Sequence, residues 1–88
     1  MREVWKYQTP IEDRFGIEMP KNAAILCVQV QNGTPCIWVL VDPRQAEKET
    51  KQFRLAGTGH RMENHEIVKY IGSYQLSGGQ LVFHLFEA

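Results

Sequence analysis

The chain has 88 residues, enough for one domain spanning 1–88 and for only a thin core, so association with further copies would stabilise it. Hydrophobic residues make up 43%, which excludes a disordered chain. Ten basic and ten acidic residues cancel, which argues against wrapping long nucleic acid, and no window approaches the run of about 20 apolar residues that spans a membrane.

Short strand-like runs separated by Pro, Gly and Asn follow one another along the chain. Residues 3–7 alternate Glu, Val, Trp, Lys, Tyr, and 8–13 reads as a turn containing Pro10. A second short run covers 15–19 and closes at Pro20. The strongest strands are 24–31 and 36–42, with Asn32-Gly33-Thr34-Pro35 between them. Asn-Gly signals a hairpin, but Pro35 favours a loop longer than two residues, because proline cannot donate to the ladder. Such a hairpin places Leu26, Val28 and Val30 with Ile37, Val39 and Val41 on an apolar core face. The other face carries Cys27, Gln29, Gln31, Cys36, Trp38 and Leu40, and suits a second core, a subunit interface or a pocket wall.

Asp42-Pro43 opens a charged stretch to Lys51, expected as one or two helical turns or a solvated loop. Residues 52–55 form a strand with Phe53 and Leu55 inward and Arg54 outward. Residues 67–76 give another strand, bent near Gly72, then Ser77-Gly78-Gly79 turns the chain into a last strand at 81–86. The sum is an all-β domain: a small antiparallel sandwich or barrel of six to seven short strands with little helix. Apolar runs at 24–30 and 81–86 suggest central strands covered on both sides, with a second subunit covering one side.

Two cysteines, Cys27 and Cys36, match no zinc spacing and read as small hydrophobes. His60, His65 and His84 match no metal motif either, so no cofactor is expected; His84 reads as a half-buried, hydrogen-bonded side chain. The opening five residues lack the apolar stretch of a secretory signal, which points to the cytoplasm and reduced thiols. No nucleophile–base–acid order is legible, so the expectation is a binding protein and not an enzyme.

The candidate ligand site is Gly57-Thr58-Gly59-His60-Arg61. Successive amides in a glycine-rich turn can cradle an anion, and Thr58, His60, Arg61 and the upstream Arg54 add donors. It is neither a Walker A loop nor a GxGxxG turn. Trp5, Trp38, Tyr70 and Tyr74 alternate with polar residues and are candidate stacking platforms, whereas Phe15, Phe53 and Phe83 read as core. Trp38 between strands bearing Gln29 and Gln31 combines a stacking surface with amides able to read a base edge.

Several blocks are shared with a known family: Val4-Trp5-Lys6-Tyr7 with Pro10, Met19-Pro20-Lys21 through Gln31, Ile37 through Pro43, Phe53 with Gly57-Thr58-Gly59-His60, Tyr70-Ile71-Gly72 with Gln75-Leu76, and Leu81-Val82-Phe83-His84. Together these blocks resemble a family of short phage and prophage proteins without an assigned activity. The resemblance implies a phage-encoded protein in the cytoplasm of an infected or lysogenic bacterium. It is compatible with an anti-defence sponge that sequesters a nucleotide second messenger of the cyclic oligonucleotide type without cleaving it. On that reading residues 57–59, Thr58, His60 and Arg54 hold phosphate, Trp38 stacks a base, and Gln29 or Gln31 reads its edge. The alternatives are an inhibitor or adaptor that docks on a host protein through the Trp38 face, and a small nucleotide-acting enzyme with His60 as base.

Overall fold

Seven strands form in chain order in the computed structural model, which describes residues 1–66 and 69–88: β1 (Glu3–Gln8), β2 (Arg14–Pro20), β3 (Ala24–Gln31), β4 (Thr34–Val41), β5 (Lys48–Gly57), β6 (Lys69–Leu76) and β7 (Leu81–Glu87). One short 3-10 turn, Ser77–Gly79, joins β6 to β7. Sheet A has the order β1-β4-β3 and sheet B the order β2-β5-β7-β6, with antiparallel pairing throughout. The expected all-β sandwich is what the chain forms. Residues 67 and 68, the expected start of the sixth strand, lie outside the described residues.

Alternation places the core. Val28, Ile37, Val39 and Val41 from sheet A meet Met19, Phe53, Leu55, Tyr74 and Leu85 from sheet B in one buried cluster. Phe15 stacks on Phe53 at 5.2 Å between ring centroids. The molecule is a slab with axial extents of 40 × 34 × 16 Å, the thickness of two packed sheets. β3 packs on β6, and Gly72 permits the approach: a Cβ there would lie 2.9 Å from Val28 Cγ1. The register shift between Tyr70 and Gly72 sits at the bend expected near Gly72.

Four expectations are corrected. The β3–β4 hairpin turns in two residues, since Gln31 pairs with Thr34 and both Asn32 (φ 51°) and Gly33 (φ 78°) are left-handed. Pro35 is tolerated inside β4 because its carbonyl, and hence its nitrogen, faces the end of β1, where Thr9 donates to Pro35 O at 3.0 Å. Leu26 leaves the core: a bulge between Ile25 and Cys27 puts Ile25 opposite Val39, and Leu26 is 50% exposed. β3 is not a central strand but an edge of sheet A, with β4 between it and β1.

The fourth concerns the charged stretch. Asp42 accepts from the Arg44 amide at 3.0 Å and turns the chain, and extended structure resumes at Lys48, four residues before the expected strand. Pairing with β2 decides this, as Pro20 through Ile17 lie opposite Lys48 through Lys51. No helix among the described residues is long and apolar enough to cross a membrane.

Candidate functional site

The residues proposed from sequence fall on opposite sides of the slab. Gln29, Gln31 and Trp38 alternate with the core residues Val28, Ile37 and Val39, so they occupy the outer face of sheet A. Trp38 is half-buried there between Lys6 of β1 and Cys27 of β3. Lys6 Nζ donates to Gln31 Oε1 at 2.8 Å, and Cys36 beneath that bridge is fully buried. Both cysteines are free thiols. Val4 pairs with Leu40 at the other end of the face, and Leu26 stands exposed nearby.

Arg54 lies on the outer side of sheet B and is only 7% exposed, because the chain from Gly59 to Glu66 returns over it. Its Nε donates to Glu66 Oε1 at 3.0 Å, and its terminal nitrogens donate to the carbonyls of Asp13, Leu55 and Arg61. Arg14 adds a second guanidinium on the same Glu66 oxygen at 2.8 Å. The Glu63 amide, donating to Glu66 Oε2 at 2.8 Å, and then the two arginines hold the Glu66 carboxyl below the usual range. Arg54 is thus an anchor for the return loop, and its donors are spent internally.

The turn at 57–61 is equally self-contained. The Thr58 amide donates to Val82 O at 3.1 Å and the His60 amide to Gly57 O at 2.9 Å, which leaves the Gly59 amide without a partner among the described residues. The His60 ring packs on the α-carbon of Gly57, where a Cβ would come within 2.8 Å of His60 Cε1. His60 and Arg61 are exposed. A groove of about 240 Å³ runs beside the turn, lined by Gly57, Thr58, His60, Gln80, Leu81, Val82 and Phe83. That is smaller than a typical closed ligand pocket of roughly 300 Å³ or more.

Thr58 faces away from His60, onto the outer side of sheet B, and here the fold assembles something the sequence did not display. Thr58 Oγ1 lies 2.7 Å from His84 Nε2, His84 Nδ1 lies 2.7 Å from Ser73 Oγ, and Ser73 Oγ lies 2.7 Å from Tyr70 Oη. Three adjacent strands position this row. β7 places His84 opposite Ala56 of β5 and Ser73 of β6, and Tyr70 pairs with Phe86 one row away. Tyr70 meets Phe86 edge to face at 5.7 Å. His84 is half-buried and hydrogen-bonded, as expected; Ser73 is a new member. The pairing of Ser73 with His84 follows from a tight turn at 77–79, whereas Tyr70 joins only through the bulge at Ile71.

The remaining platform candidates divide. Trp5 packs against the core, and Tyr74 is buried against Phe83, which raises its hydroxyl pKa through desolvation. Tyr70, at 59% exposure, and Trp38 stay on outer faces. No group of three or more His, Cys, Asp or Glu that could hold a metal ion occurs among the described residues.

Along its whole length, residues 1–88, the chain matches one family. It belongs to the family described as Domain of unknown function (DUF7352). No curated protein and no solved structure matches it. Membership in DUF7352 therefore fixes kinship over the full chain and leaves function to be argued from the site.

Proposed function

We propose that this DUF7352 chain is a non-catalytic ligand-binding protein whose site is the outer face of sheet B around Thr58, Ser73, His84 and Tyr70. The single observation behind this is the continuous hydrogen-bonded row from Tyr70 to Thr58, beside an exposed aromatic ring and the groove at 57–60. Polar side chains ordered on one another, next to a ring, suit recognition of a small polar molecule with a planar part. The ligand class is a nucleotide second messenger of the cyclic oligonucleotide type, with the Gly59 amide, His60 and Arg61 at the turn available to its charged part. The row holds no carboxylate to stabilise a charged imidazole, and this favours retention of the ligand over turnover.

The resemblance to phage and prophage proteins supplies the setting: an anti-defence protein that withdraws a signal in the cytoplasm of an infected or lysogenic host. The test is a thermal-shift panel of cyclic di- and trinucleotides and ADP-ribose-type signals. A ligand at 100 times its dissociation constant stabilises the fold by about 2.7 kcal/mol. The bound molecule is released unchanged on denaturation; recovery of a hydrolysed product would favour an enzyme instead, with Ser73 and His84 as the reacting pair. Thr58→Ala abolishes binding, and Trp38→Ala spares it.

A second reading has its own observation. Val4 and Leu26 are about half exposed on the outer face of sheet A, beside Trp38 and Leu40. Such a patch suits a protein partner. A flat nucleotide panel, with one host protein captured by wild type and lost in Trp38→Ala, would establish it in place of the sponge.

A further inference from the structure

We infer that Tyr70, braced by Phe86, is the platform for a flat ring, and that the row beside it accepts hydrogen bonds from that ring's edge. The ring then carries N–H or O–H donors, as an amino-bearing nucleobase does. This rests on the ligand reading above, and moves the base from Trp38 to the opposite side of the slab.

The platform is built for the task. Tyr70 is 59% exposed, yet its hydroxyl is tied to Ser73 at 2.7 Å and its ring rests edge to face on Phe86. A ring held at both places loses little rotamer freedom on binding. Phe86 and Tyr70 lie in register, with His84 and Ser73 in the next row of the same two strands. A ring stacked on Tyr70 therefore has the polar row at its edge. The row reaches Thr58 two strands away, about 10 Å across the sheet.

Counting protons gives the chemistry. Tyr70, Ser73, neutral His84 and Thr58 each bring one exchangeable proton, and the row between them consumes three. The fourth goes from Thr58 Oγ1 to Val82 O at 3.5 Å, which makes His84 Nε2 the donor to Thr58, and Ser73 the donor to Nδ1. In that arrangement Ser73 and Thr58 offer a ligand lone pairs and no hydrogen. Arg54, the nearest buried cation, already serves Glu66 and three carbonyls. A phosphate on this row would meet acceptors, whereas an exocyclic amino group meets partners.

The experiment is a ¹⁵N-resolved NMR titration with AMP and with purine riboside 5′-monophosphate, which lacks the amino group, at millimolar concentration. AMP is expected to move the signals of Tyr70, Ser73, His84 and Phe86, and the deamino analogue to bind about tenfold more weakly. Tyr70→Ala is expected to weaken AMP by about tenfold or more, and Trp38→Ala to leave it unchanged. Ser73→Ala, which keeps the ring and the strand, provides a second variant and should erase the preference for the amino group. Equal affinity for the two nucleotides, or shifts confined to residues 27–40, overturns the inference and leaves nucleotide binding standing. AMP that moves no signal, while a cyclic nucleotide raises the melting temperature, does the same. A flat thermal-shift panel together with silent titrations removes both.

Discussion

Two buried side chains show how the same fold handles polarity well and badly. Tyr74 is 5% exposed, and its hydroxyl finds no hydrogen-bond partner among the described residues. A buried hydroxyl without a partner costs about 1–3 kcal/mol, so Tyr74→Phe should stabilise the protein by about 1 kcal/mol and raise Tm by about 4–8 °C in a calorimetric scan. Arg54 is the contrary case, since each of its nitrogens has an acceptor. Arg54→Ala removes one of the two guanidinium groups on Glu66 and the side-chain donor to the carbonyls of Asp13, Leu55 and Arg61, and should cost about 3 kcal/mol in urea unfolding. The pH response has a fixed sign. The Glu63 amide and the two guanidinium groups lower the folded-state pKa of Glu66. Its contribution is fully present above the unfolded value of about 4.3 and is lost as pH falls through the lower folded value. Urea midpoints across this acid range should fall for wild type and show a smaller fall in Glu66→Gln.

Strands β3 and β6 carry the two bulges, and both decide which side chains reach which face. In β3 the extra residue expels Leu26 and admits Ile25. In β6 it brings Tyr70 onto the same face as Ser73, three residues apart and not two or four, and so creates the platform beside the polar row. Gly72, just past that bulge, is where the sheets touch. Gly72→Ala forces its Cβ against Val28, and overpacking of this kind costs about 1–3 kcal/mol. It should also broaden the NMR signals of β3 and β6 more than those of β2, because the strain enters at their contact. Uniform broadening over the whole chain would count against a local wedge.

For the whole molecule, the open question of association has a definite surface. Val4, Leu26, Leu40 and Trp38 form the outer face of sheet A, and β1 and β3 are its two edges. A chain of this length buries only about 60–65% of the surface it exposes when unfolded, so covering that face with a second copy would add core the monomer lacks. Light scattering at micromolar concentration should then give a mass above the monomer's, and Trp38→Glu should return it to the monomer. A wild-type monomer would leave the face to a different protein or to solvent.

Composition and alternation alone determine that this chain is an all-β domain, that Val28, Ile37, Val39, Phe53 and Leu55 are core, and that Asn32-Gly33 turns a hairpin, because these follow from the period-2 geometry of a strand and from local φ preferences. They also place His84 correctly as a half-buried, hydrogen-bonded residue. What they do not contain is the pairing between distant strands. The strand at 48–51 exists because β2 lies beside it, and Arg54 is buried because Glu66 returns over it from twelve residues on. Trp38 and Thr58 look like parts of one site in sequence and stand on opposite faces in space, since they belong to different sheets. Thr58, His84, Ser73 and Tyr70 become neighbours only when β5, β7 and β6 align with one bulge in place, and long-range register of that kind is set by the packing of the whole sandwich.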